Sequence, residues 1–247
     1  MSELNDITSK ACQLINDSHY LVVLTGAGLS TPSGIPDFRS ANSGLWEISD
    51  PMKVASLSTF RNRPIDFFKW IHPLTQKIYE AKPNYAHEAL AILEKQGKIK
   101  AIVTQNIDYL HQKAGSKNVI EVHGSVVNLE CLKCRTRISF NENLITSFIE
   151  DFSIPTCDKC SNYLKPAITL FEEMLPPDAW DNATHHFEQA DLVIVIGSSL
   201  EVYPANQLPL IALANNAKLI INTFSATSID SMSDLLIHFD VEEVWRL

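Results

Sequence analysis

The sequence of 247 residues contains no long hydrophobic run. Its most apolar stretch, Asp191-Leu-Val-Ile-Val-Ile-Gly197, is far shorter than the ~20 residues that span a bilayer, so we expect no membrane insertion. The first residues, MSELNDITSK, include neither a basic segment nor an apolar one, and so give no sign of a secretory signal. From these absences we expect a cytoplasmic protein.

Positive charge is also scarce, since 20 Lys and Arg stand against 29 Asp and Glu, a formal net charge of -9. An acidic chain repels phosphate backbones, so we expect no direct binding to nucleic acid. It attracts cationic partners such as lysine-rich protein segments. The 45% hydrophobic content is ordinary for a globular protein, and the length suits one large domain that carries a smaller inserted module.

Four of the five cysteines form two close pairs, Cys131-Leu-Lys-Cys134 and Cys157-Asp-Lys-Cys160. Two such pairs can supply the four thiolates of a tetrahedral zinc site, whereas disulfides are the alternative in an oxidising compartment. Four sulfur ligands leave no open position for water, so we predict one structural zinc ion. Cys12 stands alone in a helical pattern, and we expect it to be a small buried apolar residue.

Short apolar runs alternate with helical patterns along the chain. The predicted strands cover about 20–25, 100–104, 192–196 and 218–222, and they lack the polar alternation of a half-exposed sheet. Helical periods cover about 4–15 and 84–94. This order predicts an α/β fold with a doubly wound, mostly parallel, Rossmann-like sheet.

Two stretches interrupt that alternation. Residues 125–165 are polar and hold the cysteine pairs, which predicts a small inserted zinc module. Residues 38–82 are rich in proline and aromatic side chains and predict a helical excursion that packs beside it. We therefore predict a large lobe of about 1–37, 84–124 and 166–247, and a small lobe of about 38–83 and 125–165.

A glycine-rich turn follows the first predicted strand. Gly26 and Gly28 match the first two glycines of a G-x-G-x-x-G dinucleotide fingerprint, but Thr31 stands in the third position. No acidic residue ends a recognisable second strand about twenty positions on, so the fingerprint of a dehydrogenase is incomplete. A tight turn without a ligand remains the alternative.

The turn belongs to a longer set of motifs. These are Gly26-Ala-Gly-Leu-Ser-Thr-Pro-Ser-Gly-Ile-Pro-Asp-Phe-Arg39, Thr104-Gln-Asn-Ile-Asp108, His123-Gly124, the two cysteine pairs and Gly197-Ser-Ser-Leu200. In this order, from about residue 20 to 222, the chain closely resembles the sirtuin family of NAD-dependent protein-lysine deacylases. The resemblance implies one catalytic domain that consumes NAD as a co-substrate.

The resemblance also implies the residues that bind NAD. The glycine turn holds the pyrophosphate, the segment after it is a flap over the nicotinamide ribose, and Asn106 and Asp108 line the pocket for the nicotinamide carboxamide. The full implied set is Gly26, Ala27, Gly28, Ser30, Pro36, Asp37, Phe38, Arg39, Gln105, Asn106, Ile107, Asp108, His123, Gly197, Ser198, Ser199 and Asn222.

The resemblance implies that His123 is the catalytic residue, together with Asn106. The acyl oxygen of an acetylated lysine attacks C1′ of the nicotinamide ribose, and nicotinamide leaves. The ribose hydroxyls, deprotonated through His123, then attack the resulting O-alkylimidate. Water completes the release of lysine and O-acetyl-ADP-ribose. An imidazole suits this proton transfer because it titrates near neutral pH.

The implied partners are acetyl-lysine proteins or peptides, bound as a strand between two loops and read largely through the main chain. The implied contact residues are Ile168, Phe171, Glu172, Val202 and Tyr203. We expect a monomer. Glu172 departs from the family, which has glycine at that position, and it could narrow the peptide groove or favour basic flanking residues. Thr223-Phe-Ser-Ala226 also departs from the commoner acidic form, which could weaken contacts at the adenine end.

The acyl group can be predicted from one further comparison. Members that prefer succinyl-lysine have a Tyr-x-x-Arg pair where this chain has Phe68 and Ile71. No cation is available there to bind a carboxylate, so we expect neutral acyl groups, acetyl foremost. Three other functions are weighed: a mono-ADP-ribosyltransferase that uses the same NAD site, an NAD-binding scaffold without activity, and a zinc-ribbon nucleic-acid binder.

Overall fold

The computed structural model describes residues 2–37 and 50–246. Its strands are β1 (Leu21–Thr25), β2 (Ile99–Thr104), β3 (Val119–Glu121), β4 (Gly124–Glu130), β5 (Arg137–Ser139), β6 (Lys165–Ile168), β7 (Leu192–Ile196), β8 (Lys218–Asn222) and β9 (Leu235–Ile237). Its helices are α1 (Ser2–Asp17), α2 (Pro51–Val54), α3 (Leu57–Asn62), α4 (Pro64–Glu80), α5 (Tyr85–Lys95), α6 (Leu110–Lys113), α7 (Glu142–Asp151), α8 (Pro177–Gln189), α9 (Leu208–Ala214) and α10 (Val241–Trp245).

The main sheet has six parallel strands in the order β3-β2-β1-β7-β8-β9. The predicted Rossmann-like sheet is therefore confirmed. From β1 the chain moves outward to β2 and β3, and it later returns to β7 on the other side of β1. The order reverses between β1 and β7, and such a reversal opens a ligand crevice beyond the carboxyl ends of the strands.

The main sheet is covered on both faces, which explains why its strands are apolar throughout. One face packs against α8 and α9 through residues such as Phe187 and Leu208. The other packs against α1, α5 and α10 through residues such as Leu14, Leu90 and Val241. Helix α5 begins at the predicted place because the Asn84 side chain accepts hydrogen bonds from the backbone N–H groups of Ala86 and His87.

The prediction for Cys12 is wrong, since its side chain is exposed. Helix α1 turns Ile7, Ala11 and Leu14 towards the sheet. Because successive residues of a helix lie about 100° apart, the position after Ala11 falls on the solvent side.

A second sheet of three antiparallel strands, in the order β5-β4-β6, contains the cysteine region. It shares an aromatic core with α3, α4 and α7, in which the rings of Phe60, Phe67 and Phe68 meet edge to face at 5.4–5.9 Å. The expected packing of the helical excursion beside the zinc module is thereby confirmed for residues 50–80. Within the described ranges, no helix is long and apolar enough to cross a membrane.

Candidate active site

The glycine turn after β1 packs directly against the end of β7. The Gly26 N–H donates to Ile196 O at 3.0 Å, and the Gly28 N–H donates to Gly197 O at 2.9 Å. A Cβ atom on Gly28 would lie 2.9 Å from Gly197, and one on Gly197 would lie 2.2 Å from the Leu29 nitrogen. Gly197 also has a left-handed backbone, with φ of +63°. Only glycine fits this contact, which brings the turn close to the end of β7 at the switch point.

The segment after β2 fixes its polar side chains against the same turn. The Asn106 amide donates to Gly26 O at 3.0 Å and to Ser30 Oγ at 3.1 Å. The Gln105 amide donates to Ser198 Oγ at 2.9 Å. These bonds join the ends of β1, β2 and β7 into one polar edge.

A small, partly open pocket lies beside the glycine turn. Asn106 and Asp108 line this pocket together with Pro36, Leu74 and Ile78. The Asp108 carboxylate accepts from Ser30 Oγ at 2.7 Å and from the Leu110 N–H at 2.9 Å, while burial raises the pKa of this carboxyl. The pocket brings together the residues expected to meet the nicotinamide carboxamide, an amide that offers both a donor and an acceptor.

His123 lies between the main sheet and the three-stranded sheet, immediately before β4. Its Nδ1 is 3.0 Å from Gln105 O, and its own carbonyl accepts from the Thr169 N–H at 2.8 Å. A carbonyl oxygen can only accept, so Nδ1 carries the hydrogen and Nε2 remains the basic nitrogen. Burial lowers the His123 pKa, and the bond to Gln105 opposes this in part. The imidazole is therefore neutral at pH 7 and able to take a proton.

A cleft of about 1700 Å³ joins these parts. Single small-molecule pockets are usually about 300–1,000 Å³, so the cleft has room for a dinucleotide and an extended peptide segment. Most of the predicted site residues line it: Gly26, Ala27, Gly28, Asp37, Gln105, Asn106, Ile107, His123, Ile168, Phe171, Glu172, Gly197, Ser198, Ser199, Val202 and Tyr203.

The remaining predicted residues lie elsewhere. Ser30, Pro36 and Asp108 line the small pocket. The Asn222 side chain is fully buried, where it donates to the carbonyls of Ile237 and Phe239 and accepts from the Trp245 indole. Direct contact with a ligand would require these bonds to open. Two predicted residues of the flap, Phe38 and Arg39, lie outside the described residues.

Residues 169–173, named here the substrate loop after the peptide contact that the family resemblance implies, follow β6 and line the cleft. Buried Lys165 holds one end, because its ammonium donates to Ile168 O at 2.6 Å and to the Glu173 carboxylate at 2.8 Å. Glu130 lies 3.2 Å from the same ammonium. Phe171 is 39% exposed at the cleft wall.

The four paired cysteines converge as the sequence predicts. Their sulfur atoms all lie within 4.8 Å of one another, with separations of 3.4 Å between Cys131 and Cys160 and 3.5 Å between Cys134 and Cys157. Zn–S bonds of 2.3 Å in a tetrahedron require sulfur atoms about 3.8 Å apart. The cluster therefore fits one zinc ion, which would tie the turns before β5 and β6 together.

The comparisons with known proteins agree with this geometry. The Sir2 family model matches residues 26–204, most of the chain. The chain belongs to the Sir2 family. An Oceanobacillus iheyensis NAD-dependent protein deacetylase is 45% identical over 90% of this chain and 91% of its own length. A Thermotoga maritima NAD-dependent protein deacetylase is 42% identical over 94% of this chain and 93% of its own.

Solved Sir2 structures also match the fold of this chain closely. A Sir2 variant with a deacetylated p53 peptide and 3′-O-acetyl-ADP-ribose has a TM-score of 0.90 at 40% identity, covering 97% of this chain and 96% of that one. A Sir2 protein bound to a propionylated peptide has a TM-score of 0.85 at 40% identity, covering 97% and 95%.

Several residues of this Sir2 site are not predicted from the sequence. Trp70, Leu74 and Trp180 line the cleft, and Ala55 contacts the substrate loop through its backbone. Apolar side chains on distant helices have no local signal that separates a cleft wall from a core. Phe68 and Ile71, the positions expected to distinguish succinyl groups, lie in the aromatic core of the small sheet.

Proposed function

We propose that this Sir2 protein removes acetyl and other neutral acyl groups from protein lysines while it consumes NAD. The products are nicotinamide, free lysine and O-acetyl-ADP-ribose. One observation carries the proposal: His123, with its basic Nε2, lines the same cleft as the glycine turn and the substrate loop. The relatives named as deacetylases, and the Sir2 structure with a deacetylated peptide and an acetyl-ADP-ribose, support it.

In this proposal, each group of residues in the cleft has its own role. The turn at Gly26 and Gly28 presents backbone to the pyrophosphate, and Asn106 and Asp108 orient the carboxamide in the small pocket. His123 takes a ribose hydroxyl proton, because its lowered pKa keeps the imidazole neutral. When bound, the zinc ion supplies structure alone, since four thiolates would fill its coordination sphere.

The peptide is proposed to lie between the substrate loop and residues 202–203. Both line the cleft, and Tyr203 is 77% exposed. An extended segment can pair with these backbones, so the main chain would dominate recognition. The acidic chain suits lysine-rich targets, and it gives no support for direct nucleic-acid binding.

The acyl preference follows from the lack of a cation at Phe68 and Ile71. Both side chains are buried among aromatic rings. A succinyl carboxylate would lose its hydration without a partner, which is costly. We expect acetyl-peptide turnover to exceed succinyl-peptide turnover by about 100-fold or more in kcat/KM, and equal turnover of the two peptides would refute this preference.

Three wider features belong to the same proposal. The four close thiols would persist in a reducing compartment, which favours a cytoplasmic location. We also propose a division into a large lobe (about 1–37, 84–124 and 166–247) and a small lobe (about 38–83 and 125–165), with the cleft between the two. Analytical ultracentrifugation tests the expected monomer.

The deciding experiment is mass spectrometry of an acetyl-lysine peptide incubated with the protein, with and without NAD, beside His123→Ala. We expect loss of the acetyl group only with NAD, formation of O-acetyl-ADP-ribose, and loss of activity by His123→Ala with NAD binding retained. In the pH profile of kcat/KM, the midpoint of the acid limb should lie below 6.5, the ordinary pKa of histidine, because burial lowers the His123 pKa. ADP-ribose retained on protein would instead support an ADP-ribosyltransferase.

A further inference from the structure

We propose that Glu172 is a positioning residue that fastens the substrate loop to helix α3 before the peptide binds. This inference rests on the proposed function, because it assigns the loop to peptide recognition. Its starting point is a departure in the sequence, a glutamate where the family resemblance implies glycine.

The contact is a pair of hydrogen bonds to one residue. Glu172 Oε2 accepts from the Ser58 N–H at 2.8 Å, and Glu172 Oε1 accepts from Ser58 Oγ at 3.0 Å. Ser58 lies in the first turn of α3, where backbone N–H groups lack partners within the helix and favour a negative charge. The carboxylate thus links two segments that are 114 residues apart in sequence.

The backbone next to Glu172 is also hydrogen-bonded to the segment that contains Ser58. The Phe171 N–H donates to Ala55 O at 3.1 Å, and the Leu57 N–H donates to Phe171 O at 3.0 Å. These bonds form a single parallel bridge between Ser56 and Phe171. One bridge is a weak attachment, and the charged bonds of Glu172 hold its adjacent end.

The conformation of Glu172 shows why the side chain must contribute. Its φ is +73°, a left-handed backbone that L-residues disfavour and glycine tolerates. A glycine would adopt this turn freely but would leave the loop without a side-chain anchor. In this chain Glu172 stabilises the turn from outside, by its bonds to Ser58.

The neighbouring glutamate anchors the loop in the opposite direction. Glu173 accepts from buried Lys165 in β6 of the three-stranded sheet, and it also accepts from the Leu170 N–H within the loop. The substrate loop is therefore held by α3 through Glu172 and by β6 through Glu173, and Phe171, which precedes both glutamates, lines the cleft. Because both Glu172 oxygens bond Ser58, its charge is directed at α3 and the role we infer is to order the loop.

An ordered loop lowers the entropic cost of peptide binding. Removing the anchor should therefore raise the KM for peptide and leave kcat and the KM for NAD unchanged. The variants are Glu172→Ala, Ser58→Ala and their combination. Glu150→Ala is the matched control, because it removes one exposed acidic side chain from helix α7. Glu172→Gly adds a fourth case, in which the anchor is lost while the backbone strain is relieved.

The first readout does not depend on activity. Hydrogen exchange of the Phe171 and Leu57 amides, measured without peptide or NAD, should accelerate about 3- to 10-fold in Glu172→Ala and in Glu172→Gly. In the second readout, both variants should raise the peptide KM by a similar factor, and the Ser58→Ala, Glu172→Ala double variant should be no worse than Glu172→Ala. Glu172→Gly should unfold at a temperature no lower than Glu172→Ala, which separates positioning from global stability.

Unchanged amide exchange together with a raised KM would overturn the proposal, since Glu172 would then act by touching the peptide directly. Unchanged exchange and unchanged KM would overturn it as well. If the wild-type protein showed no deacylase activity, the proposed function would fail, while the exchange measurement would still decide whether Glu172 orders the loop.

Discussion

Two buried histidines beneath the glycine turn should make the protein sensitive to acid. The rings of His87 and His111 are 4.9 Å apart and almost fully excluded from solvent. His87 Nδ1 lies 2.9 Å from Asn84 Oδ1, and His111 Nε2 lies 3.0 Å from Thr25 Oγ1, but the other ring nitrogen of each has no partner in the described residues. Burial lowers the pKa of His87 from 6.5 to about 4, and burial and then the charge of His87 lower that of His111 well below 6.5.

The sign and size of the effect follow from linkage. Between pH 6.5 and about 4 the unfolded chain binds a proton at His87 that the folded chain does not, so the free energy of unfolding falls as pH falls. For a folded pKa of about 4, acidification from about pH 7.5 to 5.5 costs about 1.3 kcal/mol at His87 alone. His111 changes stability in the same direction.

Urea unfolding of the wild-type protein and His87→Gln at both pH values measures this cost. The variant should lose about 1 kcal/mol less than the wild type on acidification, whatever its stability at pH 7.5, because it lacks the buried titrating group. His185→Gln, which removes an exposed histidine, is the control and should behave as the wild type does. Equal losses in the wild type and His87→Gln would refute the assignment of the acid sensitivity to this pair.

Two further predictions test the glycine contact at the end of β7 and the metal site. Gly197→Ala should weaken NAD binding by about tenfold or more in calorimetry, because its Cβ would lie 2.2 Å from the Leu29 nitrogen. Gly34 has a φ of +88° but open space around it, so Gly34→Ala should leave NAD binding unchanged. Equal losses of NAD affinity in the two variants would point to backbone strain instead of the clash. Cys157→Ser should bind less than one zinc ion per chain, and its melting temperature should fall by roughly 10 °C. Cys12→Ser, at an exposed position, should change neither value. A full zinc ion in Cys157→Ser would disprove the four-thiolate site.

The sequence predicts the centre of the main sheet well and its edges poorly. The apolar strands β1, β2, β7 and β8 lie within a residue or two of the predicted ranges, because strands covered on both faces have an unbroken apolar pattern. The edge strands β3 and β9 span only three residues each, too few to show any period. In the small sheet, β5 is as short, whereas β4 spans seven residues but is partly polar and so lacks an unbroken apolar pattern.

The site shows a comparable division. The four cysteines are predicted because their spacing suits a metal site, whereas the roles of the glycine turn and His123 are predicted from the resemblance of their motifs to the sirtuin family. Asn222 shows the limit: its position at the end of β8 is predicted, but the bonds that occupy its side chain come from residues 237–245, which the local sequence does not indicate.

Glu172 shows how far a departure from a pattern can be interpreted. Sequence alone offers two consequences, a narrower groove or a charge that attracts basic residues, and both assume that the side chain faces the peptide. The structure supplies a partner, Ser58, that lies more than a hundred positions away, so its contact depends on how α3 packs beside the three-stranded sheet. A residue that breaks a family pattern is then best judged by the bonds it gains, and here those bonds order the loop that the missing glycine would have left free.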